Sequence, residues 1–260
     1  FIMNYIGIDI GSTCAKTVVL NKKKELILEF VQPTGWSSVD TAEEIRQKLE
    51  LSGINLSDDS SCCVATGYGR ISVPYADKTV TEITCHALGA VHLFQHPDLT
   101  VIDIGGQDTK IIQIEQGFVK DFIMNDKCAA GTGRFLEVMA NTLSLRPNEM
   151  FDLARLGSDT TISSMCTVFA ESEVIGLIGK GEPKENIAYA VVNSTIRKVA
   201  AQVSRMNGEM FTFCLTGGLC ECDYIREALS KELGKDVFSC PDARYAGAIG
   251  AAISAMKVRR

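Results

Sequence analysis

One phrase of this chain is written twice. Asp9-Ile-Gly-Ser-Thr-Cys-Ala-Lys16 recurs as Asp103-Ile-Gly-Gly-Gln-Asp-Thr-Lys110. An apolar run precedes each copy (Tyr5 to Ile8; Leu99 to Ile102), and another follows it (Thr17 to Leu20; Ile111 to Ile114). Each copy is therefore a tight hairpin with an Asp, small residues and a Lys at matched places. Small residues let backbone amides approach an anionic group, and successive amides form an anion-binding concavity. Two such hairpins point to duplicated domains on either side of a nucleotide's phosphate tail. An Asp in each can hold the hydrated metal ion that travels with phosphates. The other reading is a repeated structural turn with no ligand. The joint recurrence of Asp, Gly and Lys favours phosphate.

The chain has 260 residues, enough for two modest domains or one large one. Its composition is that of a soluble globular protein, 46% hydrophobic and 22% charged. A net charge of -6 and the lack of an aromatic-interleaved basic stripe argue against nucleic acid. No apolar run reaches the roughly 18 residues of a membrane span. The start of the chain lacks the pattern of a signal peptide, and Phe1 and Ile2 read as additions ahead of a natural Met. There are ten cysteines, several inside apparent core strands and helices, so the spacing does not read as a disulfide framework. A reducing, cytoplasmic compartment is expected. Some of these thiols then have a metal or redox role, and most are small buried packing groups.

Helical spacing is expected at Thr41 to Leu51, Glu82 to Phe94, Phe135 to Thr142, Pro183 to Met206, Asp223 to Leu233 and Ala243 to Met256. Further helices are expected to start at Pro147 and just after Cys166. Strands are expected at Leu26 to Val31, Cys62 to Ala65, Gly117 to Met124, Phe211 to Leu215 and Asp236 to Ser239. Hairpins opening each half, followed by strands and helices, give an α/β plan of two domains. Thr216-Gly-Gly218 falls at a strand-to-helix junction, where paired glycines let a ribose or flat ring lie against backbone.

The two hairpins and the late Thr-Gly-Gly resemble the phosphate-one, phosphate-two and adenosine motifs of the superfamily of acetate and sugar kinases, actin-like ATPases and chaperone ATPases. That resemblance implies two ribonuclease-H-like domains with the nucleotide in the cleft between them. It implies residues 1–97 plus 244–260 for the first domain and 98–243 for the second.

Cys128 precedes Ala-Ala-Gly-Thr-Gly and a helix; Cys166 precedes Thr-Val-Phe-Ala-Glu and another. Thiols near helix N-termini are favoured as thiolates. Two thiolates are half of the four that hold a [4Fe–4S] cluster, and a two-fold dimer would supply the rest. The same spacing also suits two buried cysteines beside unrelated helices.

Five segments together carry a closer resemblance: Asn125 to Phe135, Ser163 to Val174, Ala65 to Arg70, Asp103 to Asp108 and Ala246 to Ala252. They resemble the activator (ATPase) component of 2-hydroxyacyl-CoA dehydratases, of the BadF/BadG/BcrA/BcrD type. That family also holds ATPase subunits of benzoyl-CoA reductase and reductases of double-cubane cluster proteins. The resemblance implies a homodimer with one bridging [4Fe–4S] cluster on Cys128 and Cys166 of each subunit. ATP hydrolysis with Mg2+ would leave ADP and drive one low-potential electron into a dehydratase or related iron–sulfur acceptor. Ferredoxin or flavodoxin would be the donor, in an anaerobic source.

Amides of Gly11, Ser12, Thr13, Gly105 and Gly106 are expected on phosphates, with Lys16 reaching a phosphate oxygen and Asp9 and Asp103 holding metal waters. Asp103 or Gln107 would position the attacking water. Asp108, Gly131, Thr132, Gly133, Gly217 and Gly218 complete the expected nucleotide site. Met165 and Arg244 depart from the family pattern, as does Cys220-Glu-Cys222, which reads as packing. Cys62-Cys63 reads as structural, on opposite faces of a strand. The three histidines are given no chemistry. Two other classes remain. A sugar or acyl kinase would need no iron, and a nucleotide-switched regulator would not turn over ATP.

Overall fold

The computed structural model describes residues 3–57, 59–163, 166–207 and 211–258. By contacts the chain forms two compact units, Phe1–Leu99 with Ile112–Lys120 and Asp242–Arg260, and Thr100–Ile111 with Asp121–Pro241. No helix among the described residues is long and apolar enough to cross a membrane.

The first sheet comprises β1 (Asn4–Ile10), β2 (Cys14–Leu20), β3 (Leu26–Pro33), β4 (Ser61–Thr66) and β5 (Lys78–Thr79), in the order β3-β2-β1-β4-β5. β1 pairs antiparallel with β2 and parallel with β4. Alternation along β1 splits its side chains between two faces. Ile6, Ile8 and Ile10 pack with Ala42, Ile45 and Leu49 of helix α1 (Ser38–Leu51). Gly7 lies on the other face, against the backbone of the C-terminal helix Ala246–Ala255, where a Cβ would overlap Ala248 O. Helix α2 (Glu82–Phe94) crosses that helix with almost no separation: a Cβ on Gly89 would overlap Ala246 O, and one on Gly250 would overlap Cys85 O. The small-residue run Ala246-Gly-Ala-Ile-Gly-Ala-Ala252 is thus explained by packing on both sides. Cys62 joins Val64, Cys85 and Ala251, whereas Cys63 joins Ile6 and Ile8, so the pair does face opposite ways.

The second sheet repeats the plan with β6 (Leu99–Ile104), β7 (Thr109–Glu115), β8 (Phe118–Asn125), β9 (Thr212–Gly217) and β10 (Val237–Phe238), in the order β10-β9-β6-β7-β8. A three-strand meander is followed by two crossover strands, as in the first sheet. Its helices are α3 (Gly133–Thr142), α4 (Pro147–Ala154), α5 (Thr167–Gly179), α6 (Lys184–Val203) and α7 (Asp223–Leu233); Ala246–Ala255 is α8. Pro147 stands in the first turn of α4, as expected. α6 is buried through Ile187, Val191, Ile196 and Val199 and packs against α4 and α7.

Candidate functional site

Both repeated phrases are hairpins, closed in the same way. Gly11 N–H donates to Cys14 O at 3.1 Å and Gly105 N–H to Asp108 O at 2.9 Å. Those two amides are thereby engaged, which leaves Ser12, Thr13 and Gly106 to offer theirs. Ser12, Thr13 and Gln107 are exposed.

In the second hairpin the carboxylates are held by their own chain. Lys110, only 1% exposed, places Nζ 3.3 Å from Asp103 Oδ2 and 2.6 Å from Asp108 Oδ2. Thr216 Oγ1 donates to the other oxygen of Asp103 at 2.7 Å. Gly217, with φ +85°, brings its backbone against β6, where a Cβ would sit 2.5 Å from Ile104 O and 3.0 Å from Asp103 Oδ1. Only glycine suits that conformation and that approach. Gly218 has nothing within 4 Å of a Cβ position, so its face is open. The two expected glycines therefore differ, one locked in packing and one available.

The first hairpin is built alike and satisfied differently. Gly67, with φ +83°, lies over the end of β1 and its Cβ position overlaps Asp9 Oδ1. The hydroxyl of Thr66, however, donates to Val80 O at 2.9 Å. Asp9 is 3% exposed, and its Oδ1 has no hydrogen-bond partner. Lys16 is half-buried and forms no ion pair among the described residues.

The segment that follows Cys128 is tied to the second hairpin. Gly133 N–H donates to Gly105 O at 2.9 Å, Arg134 N–H to Gly106 O at 2.7 Å, and Thr109 Oγ1 to Gly131 O at 2.6 Å. The first turn of α3 thus grips the hairpin carbonyls. Cys128 is exposed in the preceding loop, which Asn125 shapes by donating to the carbonyls of Cys128 at 2.9 Å and Ala130 at 3.0 Å. Thr132, not Cys128, is the N-cap of α3. Cys166 is exposed and is the N-cap of α5, so its thiol does stand at a helix N-terminus. Ser163 N–H donates to both carboxylate oxygens of Glu173, each at 3.0 Å. Ser164 and Met165, where the sequence departs from pattern, lie outside the described residues.

The remaining cysteines have other environments. Burial pushes the Cys85 and Cys214 thiols up to about 12. Cys222 is also raised by burial, and Cys220 is buried. Cys220 and Cys240 line a surface cavity of about 390 Å³ beside the start of α7. Arg244, in the short turn before α8, faces Glu29, whose carboxyl is raised by burial and by Asp242 and pulled back by Arg244.

Residues 6–255 match the model of the BadF/BadG/BcrA/BcrD ATPase family. The chain belongs to that family. It is 42% identical over 257 residues to the (R)-2-hydroxyglutaryl-CoA dehydratase activating ATPase of Acidaminococcus fermentans, covering 97% of this chain and 96% of that one. It superposes with TM-score 0.90 at 40% identity on the crystal structure of component A of the A. fermentans (R)-2-hydroxyglutaryl-CoA dehydratase, covering 98% of both chains. The activator of the Clostridium difficile 2-hydroxyisocaproyl-CoA dehydratase, solved with bound ADPNP, matches with TM-score 0.88 at 33% identity over 99% of both chains. The expected family and the actin-like ATPase fold are both borne out. The contacts of the Thr216 hydroxyl and of Lys110 with Asp103 are not among the expected site features; the matched Lys at the end of each hairpin is the available signal.

Proposed function

We propose that this chain is an ATPase that activates a 2-hydroxyacyl-CoA dehydratase by delivering one low-potential electron to it. The observation that carries the reading is the continuous link from phosphate hairpin to thiol. The turn Gly131 to Arg134 is hydrogen-bonded to Gly105, Gly106 and Thr109, and the exposed Cys128 stands at its mouth. A shift of the hairpin on gaining or losing a phosphate would be passed to Cys128 through three hydrogen bonds. The amides of Ser12, Thr13 and Gly106 and the side chain of Lys16 hold the phosphates. Asp9, with its orphan oxygen, holds waters of the Mg2+ ion, which is bound through few carboxylates. Asp103 is already engaged by the Lys110 ammonium and the Thr216 hydroxyl, so Gln107 positions the attacking water. Gly217 and Gly218 back the nucleoside.

Among the described residues no three His, Cys, Asp or Glu gather into a metal-holding group. Two exposed thiols per chain fit half of a four-thiolate site, so Cys128 and Cys166 of two copies would hold one [4Fe–4S] cluster. That group would supply the electron. A ferredoxin or flavodoxin is the proposed donor, in the reducing cytoplasm of an anaerobe. The test is anaerobic purification with measurement of iron, acid-labile sulfide and mass in solution. About four irons per dimer, lost in both Cys128→Ala and Cys166→Ala, is expected. An iron-free monomer after reconstitution would overturn the reading in favour of a kinase.

A further inference from the structure

His86 has no place in the scheme above, yet it is buried beside Asp9, a carboxylate with one oxygen that has no hydrogen-bond partner. It lies on α2, 4% exposed, with Nε2 3.9 Å from Asp9 Oδ2 and 3.7 Å from Glu82 Oε1 one turn away. An apolar side chain would cost less in such a place unless the imidazole acts on its neighbours. The space is defined by glycine. A Cβ on Gly247, in the first turn of α8, would overlap Asp9 Oδ2 and stand 2.9 Å from His86 Nε2. On the opposite side Gly67 closes over Asp9 Oδ1. Backbone on both sides therefore crowds the carboxylate and the imidazole together. Thr66, the nearest hydroxyl by topology, is committed to Val80 O.

We propose that His86 is a positioning residue for Asp9. The imidazole, itself flanked by Glu82, holds Oδ2 on the α2 side and so sets the pose from which Asp9 would turn toward the ion's waters. The gap of 3.9 Å closes to hydrogen-bond length with a small rotation of either side chain once a cation draws Asp9 into its final pose. Partners that orient a metal-holding group typically change metal affinity by about 10–100-fold when removed. The inference rests on Asp9 serving the metal, as proposed above.

The test measures Mn2+ binding to ADP-loaded protein by the loss of the free-ion paramagnetic resonance signal, alongside ATPase titrated with Mg2+. His86→Leu, which removes every donor, is expected to weaken Mn2+ binding at least about tenfold, with a melting temperature close to the parent's. His86→Gln, which keeps an N–H within reach, is expected to recover most of the loss. Equal Mn2+ affinity in the parent and His86→Leu, or no rescue by His86→Gln, would overturn the assignment. If His86→Leu does not fold, His86→Ala, which likewise removes every donor, takes its place, and Mn2+ affinity equal to the parent's contradicts the assignment. Asp9→Asn separates the two claims. If that variant binds Mn2+ and ADP as the parent does, the fault lies in the reading of Asp9 and not in His86 alone.

Discussion

Asp9 and Asp103 end matched strands, and each lies under a Thr-Gly pair from its sheet neighbour, Thr66-Gly67 in one half and Thr216-Gly217 in the other. Both glycines have φ near +84°, at +83° and +85°, and both crowd the aspartate below. The two halves then part. Thr216 donates to Asp103, while Thr66 turns to Val80. Lys110 is clamped between Asp103 and Asp108, whereas the place of Asp108 is taken in the first hairpin by Cys14, so Lys16 has no second carboxylate to draw it in. A buried carboxylate oxygen left without a hydrogen bond costs about 1–3 kcal/mol. The chain bears that cost at Asp9 and avoids it at Asp103. One copy of the motif is braced internally, and the other leaves one carboxylate oxygen without a hydrogen bond.

The largest expected effect comes from breaking the brace. Lys110→Met leaves the buried Asp103 and the part-exposed Asp108 without the ammonium they share and should lower stability by about 3–5 kcal/mol in urea titration. Lys16→Met should lower it by less than about 0.5 kcal/mol while raising the KM for Mg·ATP. Equal losses of stability would erase the contrast. Next, Asp9→Asn should cut the ATPase rate at least about 100-fold, with stability unchanged or improved. Asp103→Asn should instead cost about 1–3 kcal/mol of stability by loosening the Thr216 and Lys110 contacts. The glycines should behave alike. Gly67→Ala and Gly217→Ala each force a side chain into positive φ and should cost about 1–3 kcal/mol apiece. A large difference between them would mean that the halves are less alike than their backbones.

The smallest effect separates the cysteines. In iron-free folded protein near pH 8, an alkylating reagent should label the exposed Cys128 and Cys166 and spare Cys85 and Cys214, as peptide mapping would reveal. The latter thiols are held protonated by burial, up to about 12. A raised folded pKa stabilises the fold below the unfolded thiol value and loses that contribution as pH climbs toward the folded one. Stability should therefore fall between roughly pH 9 and 12, less so in Cys85→Ala.

Much of this was readable in the sequence because the signals are local. Apolar runs around each Asp-x-Gly gave the hairpins. Glu82–Phe94 and Asp223–Leu233 begin and end where their spacing and acidic first residues predict. β5 was not readable: Lys78 and Thr79 are exposed and form a strand only by pairing with Val64 and Ala65. The last helix starts later than its composition suggests, since Pro241–Tyr245 winds more tightly first. In the site, residue types were legible but partners were not. The bonds of Thr216 to Asp103 and of Gly133 to Gly105 join residues distant in sequence, so only the fold brings them together. His86 beside Asp9 was hidden for the same reason.

The central claim is that the phosphate hairpins and the two exposed thiols form one electron-delivering machine. The direct measurement mixes anaerobic protein, a chemical reductant and a 2-hydroxyacyl-CoA dehydratase, and follows dehydration of the acyl-CoA with and without Mg·ATP. The account predicts turnover that starts only when ATP is added and is abolished in Cys128→Ala, Cys166→Ala and Asp9→Asn. Equal activation without ATP, or full activation by either cysteine variant, would contradict it.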